Sequence, residues 1–123
     1  MQIDSGHVRA MIAALRERGH KGVWLSLLGE VLGLAGGRAE FLRHEERTWS
    51  SATFSGARHT ILLAFSGLEA IAAGETFIAA LPDHEFTLPR HLVADAGVIA
   101  VEHVAGPRPC MTVEAELLLL DDA

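Results

Sequence analysis

The chain has 123 residues, half of them apolar and 21% charged, with a formal net charge of −6. That length and apolar share suit one ordinary domain with a core of its own and exclude a disordered chain. Ten basic side chains, of which only Lys21 is a lysine, form no cluster, which excludes a surface that grips nucleic-acid phosphates tightly.

Cys110 is the only cysteine, so no intramolecular disulfide can form. Met1 to Gly6 lacks the basic start and apolar run of a signal peptide, and no apolar stretch nears the roughly 20 residues of a membrane span. The expectation is one cytoplasmic domain over residues 1–123 with no membrane contact.

The first predicted element is a helix over residues 5–18. Ser5 can cap it, Val8, Met11, Ile12 and Leu15 recur at helical spacing, and Gly19 ends it. Residues 23–34 fit a second helix with Trp24, Leu27, Leu28, Val31 and Leu32 on one face. Gly29 and Gly33 weaken it, and a strand starting at Val23 is the alternative. Gly36 and Gly37 break the chain. Residues 39–49 look extended, as an edge strand or ribbon arm with Phe41 and Trp49 on one parity; a helix is the other reading. A turn is expected around Ser55-Gly56.

Residues 58–66 read as a strand, rich in β-branched and aromatic residues and bounded by turns. Ser66-Gly67-Leu68-Glu69 has the spacing of a capping box, in which Ser66 and Glu69 satisfy each other's amides. The helix it opens runs to Leu81, before Pro82, with Leu68, Ile71, Ala72, Ile78 and Ala79 as its buried stripe. Residues 91–104 form a long strand with Val93, Ile99 and Val101 on one parity and Leu92, Val98 and Val104 on the other. After a turn at Gly106, Pro107 and Pro109 comes the last strand, 111–120. Met111, Val113, Ala115, Leu117 and Leu119 alternate there with Thr112, Glu114 and Glu116, and Leu118 and Leu120 make its far end apolar on both sides. This order predicts an α+β fold, an antiparallel sheet of about four strands with helices packed on one face.

No catalytic constellation emerges. The seven histidines, at 7, 20, 44, 59, 84, 91 and 103, include no pair at zinc-ligand or helical spacing, so neither a metal nor another cofactor is expected. Cys110 has no adjacent base. Glu114 and Glu116 lie on what reads as a solvated strand face. No phosphate-cradling glycine loop and no GxSxG elbow is present. Trp24 reads as core. Trp49, flanked by Thr48, Ser50 and Ser51, reads equally as a lid on the core or an interface anchor. Trp49, Phe54, Leu118 and Leu120 are the candidate interface residues.

The stretch from Trp49 to Ser66, WSSATFSGARHTILLAFS, resembles the centre of the phage tail-completion family, which is also encoded in bacterial gene transfer agents. That family has a tryptophan followed by small polar residues, a glycine-containing hairpin and a His-Thr-aliphatic strand ending in serine. The corresponding later features are Glu69, Ala70 and Glu75 in a helix, Leu81 at its end, and the strands His91 to Val104 and Met111 to Leu120. The resemblance covers residues 49–120. Residues 19–48 depart from it, with Gly36-Gly37 where the family has a proline-rich approach.

What the resemblance implies is a tail-terminator-like sandwich and a homo-oligomeric ring. Such a ring caps the tail tube, contacts the tube and head-connector proteins, and lets DNA pass without specific binding. Such a subunit assembles in the cytoplasm into a phage-like particle and needs no active site. The −6 charge suits such a channel. The competing expectation is a small-ligand-binding or thioesterase-like dimeric enzyme, with Glu69 or His59 recruited to an apolar groove.

Overall fold

The computed structural model describes residue 12 and residues 22–121. The helix expected over 5–18 lies outside the described residues except for Ile12, which is helical, half-buried and packed against the core. The described elements are α1 (Val23–Leu34), β1 (Glu40–Ser50), β2 (Ser55–Ser66), α2 (Leu68–Ala80), a 3-10 turn (Leu81–Asp83), β3 (His91–Val104) and β4 (Cys110–Asp121). The four strands form one antiparallel sheet in the order β1-β2-β4-β3, and the two helices pack on one face of it, as an α+β fold.

The helix reading of residues 23–34 holds. Trp24, Leu25, Leu27, Leu28, Val31 and Leu32 are all buried. A wide apolar stripe outweighs the cost of two glycines in a short helix. Gly36 and Gly37 both adopt positive φ (72° and 68°). This lets the Gly37 amide donate to the Leu32 carbonyl and the Gly36 amide to Gly33, closing the helix with otherwise orphaned carbonyls satisfied.

The extended reading of residues 39–49 also holds, but its parity changes. An extra residue, Leu42, bulges between Phe41 and Arg43. Phe41 therefore faces the helices, where its ring lies 5.7 Å from Trp24, while Arg43, Glu45, Arg47 and Trp49 face the other way. The turn after β1 falls at Ser51–Phe54, four residues ahead of the expected Ser55-Gly56. Ser51 builds it without glycine: its amide donates to Phe54 O (2.8 Å), and its hydroxyl oxygen accepts from the Phe54 amide (3.1 Å). Gly56 instead lies inside β2, where any Cβ would sit 1.9 Å from the Leu119 carbonyl oxygen.

Strand β3 carries two more extra residues, Ala94 and Ile99. They put Val93, Ala96, Val98 and Val101 on the helix side and leave Ile99 54% exposed, so the simple alternation expected for 91–104 does not hold. Strand β4 alternates as read: Met111, Val113, Ala115, Leu117 and Leu119 are all buried.

The capping box does not form. Ser66 is still within β2, paired with Cys110, so its hydroxyl points to the face away from the helices and donates to Cys110 Sγ (3.7 Å). Gly67, at φ 90°, is the N-cap and makes no side-chain cap bond. Its amide donates to the Pro109 carbonyl (2.8 Å). Glu69 turns to Arg38 instead, at 2.8 Å. The buried stripe of α2 is rotated from the expected one: Ala70, Gly74 and Phe77 are buried, Leu68 is 77% exposed, and Ala72 and Ala79 are exposed. Gly74 explains the rotation. A Cβ there would meet Met111 Cε at 2.4 Å and the Phe65 ring at 2.9 Å, so the helix backbone itself lies on the sheet.

Candidate functional site

Among the described residues no helix covers the second face of the sheet. Strand register sorts it into rows. The row Trp49, Gly56, Leu120 and Leu92 runs across all four strands at one end. Next to it come Arg47, Arg58, Leu118 and Asp95, then Glu45, Thr60, Glu116 and Gly97, then Arg43, Leu62, Glu114 and Ala100. Three of the four interface candidates are thus brought to one end of one face. Trp49 and Leu120 share a row and Leu118 lies in the adjoining one. Phe54 stands in the β1–β2 turn at the same end, 54% exposed.

The interface candidates differ in access. Leu118 is buried, Trp49 and Leu120 are half-buried, and Leu92, which periodicity did not single out, is 63% exposed. The small Gly56 sits between Trp49 and Leu120 in the row, leaving no side chain to separate them. Periodicity put Leu92 on one face with Val98 and Val104; the bulges at Ala94 and Ile99 leave Leu92 and Val104 on the open face and turn Val98 to the helices.

The rest of this face is charged and largely self-satisfied. Arg58 Nη1 lies 3.1 Å from Glu116 Oε1. Arg43 reaches both Glu114 (3.4 Å) and Glu45 (3.7 Å). Cross-strand pairs of this kind order a sheet face while keeping it wet. The arrangement is an apolar end bounded by cross-strand ion pairs.

Glu69 does not face an apolar groove. It is exposed, and its hydrogen bond to the Arg38 guanidinium holds its carboxyl below the usual range. Cys110, half-buried at the start of β4, accepts from Ser66 and has no base beside it in the sequence.

The helix-covered face holds a polar cluster that sequence spacing did not reveal. His44 Nε2 and His59 Nδ1 lie 2.9 Å apart. His59 is the one polar residue in the buried class among the described residues, at 2% exposure. Trp24 stacks on His44, with ring centroids 3.5 Å apart and planes within 9°, and also lies parallel to His59 at 6.4 Å. Glu46, directly opposite His59 in the ladder, completes a group whose potential ligand atoms all lie within 4.8 Å of one another. Burial pushes the His59 imidazole below its ordinary pKa, the Glu46 charge opposes that shift, and His91 adds to it.

The hairpin register sets His44 opposite the buried Ile61 and Glu46 opposite His59; the bulge at Leu42 then brings Phe41 to the same face. Fifteen residues separate the two histidines, and the hairpin closes that distance.

A chain of the virion of a native gene transfer agent particle has the same fold. The two align with a TM-score of 0.56 at 13% identity, over 73% of this chain and 84% of that one. The type 4 fimbrial biogenesis protein PilO from Pseudomonas aeruginosa aligns over 89% of this chain and 77% of that one at 15% identity. Its TM-score of 0.39 is too low to define a shared fold. No protein-family model and no curated protein matches the sequence. No helix among the described residues is long and apolar enough to cross a membrane.

Proposed function

We propose that this chain is a structural subunit of a phage-like particle, a tail-completion protein that forms a homo-oligomeric ring. The ring caps the tail tube, joins it to the head and lets DNA pass without specific binding. The observation that carries the reading is the fold held in common with a chain of a gene transfer agent virion. The resemblance of residues 49–120 to the tail-completion family points the same way.

The open sheet face supplies the means of contact in this reading. Its apolar end, with Trp49, Phe54, Leu118, Leu120 and the exposed Leu92, offers hydrophobic area, and its fixed charges favour one register over others. The single-domain reading of residues 1–123, assembly in the cytoplasm and the absence of a catalytic role belong to the same proposal.

The test has a genetic and a biochemical arm. Deleting the gene from a producing strain should leave tails of uncontrolled length, or heads and tails that do not join. Tails of normal length attached to heads would refute the reading. The purified protein at high concentration should form closed rings by native mass spectrometry and negative-stain microscopy. Leu92→Glu should abolish those rings while leaving the melting temperature nearly unchanged, because Leu92 is already exposed.

A further inference from the structure

We propose that His44, Glu46 and His59 bind one divalent transition-metal ion of the zinc class, held between strands β1 and β2 beneath Trp24. The proposal is independent of what the chain assembles with.

The donor set is the first argument. Two imidazoles and a carboxylate suit zinc and its neighbours, and leave a fourth position for water. The geometry is the second. Donors about 2.0–2.1 Å from one tetrahedral ion lie about 3.3 Å from each other, so a slightly closer pair need open by only a few tenths of an ångström. His44 Nε2 and His59 Nδ1 already stand 2.9 Å apart. The most distant ligand atoms of the three are 4.8 Å apart at most. Glu46 is exposed, so its carboxylate can close that gap by changing rotamer without disturbing the core.

The third argument is preorganisation. His59 is fixed by burial, and His44 is fixed by the stacked Trp24 ring. In the metal-free chain the two facing nitrogens share one proton, donated from whichever ring carries it. An ion takes the place of that proton. Both facing nitrogens then present lone pairs, and each ring carries its remaining hydrogen on the far nitrogen, His44 Nδ1 and His59 Nε2. Both rings stay neutral, so this tautomer change releases no proton. Because the ligands come from adjacent strands, the ion would clamp the edge strand β1 to the central strand β2.

A purified full-length chain, stripped with a chelator, tests this by titration with zinc chloride and with cobalt chloride. The expected result is saturable one-to-one binding at neutral pH, a rise in melting temperature with zinc, and visible absorption from four-coordinate cobalt. Magnesium chloride should do none of these, since it prefers oxygen ligands. Glu46→Gln and His44→Gln should each weaken zinc binding at least tenfold. Glu46 is exposed, so its variant separates loss of a ligand from loss of the fold. Hydrogen exchange should slow at β1 amides when zinc is added to the wild type and not when it is added to Glu46→Gln. Absence of saturable zinc or cobalt binding overturns the proposal. So does binding that both variants leave unchanged, which would place the ion elsewhere.

Discussion

The two faces of this one sheet are built on different principles. The covered face is nearly dry: Ile61, Leu63, Phe65, Met111, Val113, Leu117 and Leu119 lie under α1 and α2 with almost no exposure. The open face carries Arg43, Arg58, Glu114 and Glu116 in cross-strand ion pairs, with Trp49, Leu92, Leu118 and Leu120 towards one end. The same strands supply both faces by alternation, so the difference is one of partners rather than of backbone. The covered face contributes most of the hydrophobic stabilisation. The open face contributes little to stability. Substitutions matched across the sheet should therefore separate stability from assembly.

The largest effect is expected at Phe77, which is fully buried from α2 with its ring 6.3 Å from that of Phe65. Phe77→Ala removes a large apolar group from a packed site and should destabilise the fold by about 3–5 kcal/mol. Urea denaturation would measure it. A loss below about 1 kcal/mol would mean that α2 is not packed as described.

Gly74→Ala is a subtler probe of the same contact. Alanine gains about 1 kcal/mol of helix propensity over glycine. The new methyl group must push Met111 and the Phe65 ring aside, and such overpacking costs about 1–3 kcal/mol. A net loss of about 1 kcal/mol is expected. Gly29→Ala in α1 is the matched control: nothing lies within 4 Å of its Cβ position, so it should stabilise by up to about 1 kcal/mol. Two glycine substitutions of opposite sign would show where helix backbone touches sheet.

His59 brings pH into the covered face. Its folded pKa lies below the ordinary 6.5 because burial disfavours the imidazolium. Between that depressed value and 6.5 the unfolded chain binds the extra proton, so stability rises with pH across that window and is lost as pH falls through it. The groups facing it are Glu46, which opposes the shift, His44, which shares its hydrogen bond, and His91, which adds to the shift. In chelator, the contribution to the slope of unfolding free energy should reach at most about 1.4 kcal/mol per pH unit. His59→Gln should flatten it. A slope just below pH 6.5 that survives the substitution would assign the dependence to another group.

Some of this architecture was legible from periodicity. The α1 stripe from Trp24 to Leu32 and the alternation from Met111 to Leu119 are runs in which every apolar residue agrees with one geometry, and both came out as read. What periodicity missed came from single-residue events. Leu42, Ala94 and Ile99 each add one residue to a strand and reverse every parity beyond them, and nothing local marks them. The Ser66–Glu69 spacing mimicked a cap because the side chain of Ser66 is directed by its strand, not by the helix that follows. The histidine pair was invisible as a linear spacing. It follows only from the hairpin register, in which Ser50 faces Ser55 and therefore Glu46 faces His59.

The smallest effect is expected on the open face. Arg58 and Glu116 are each about a quarter exposed, and their 3.1 Å contact is reached by solvent. A double-mutant cycle with Arg58→Ala and Glu116→Ala should give a coupling of about 0.2–1 kcal/mol, falling as salt is raised. Their value to assembly should be larger than their value to stability, because a charge pair beside an apolar contact restricts register. If the open face is the contact surface, the charge-swapped double variant Arg58→Glu with Glu116→Arg should melt within a few degrees of wild type. It should form rings with itself and mix poorly with the wild-type chain. A coupling well above 1 kcal/mol, insensitive to salt, would instead mean that the pair is buried. Something outside the described residues would then cover this face, and the contrast between the two faces would fail.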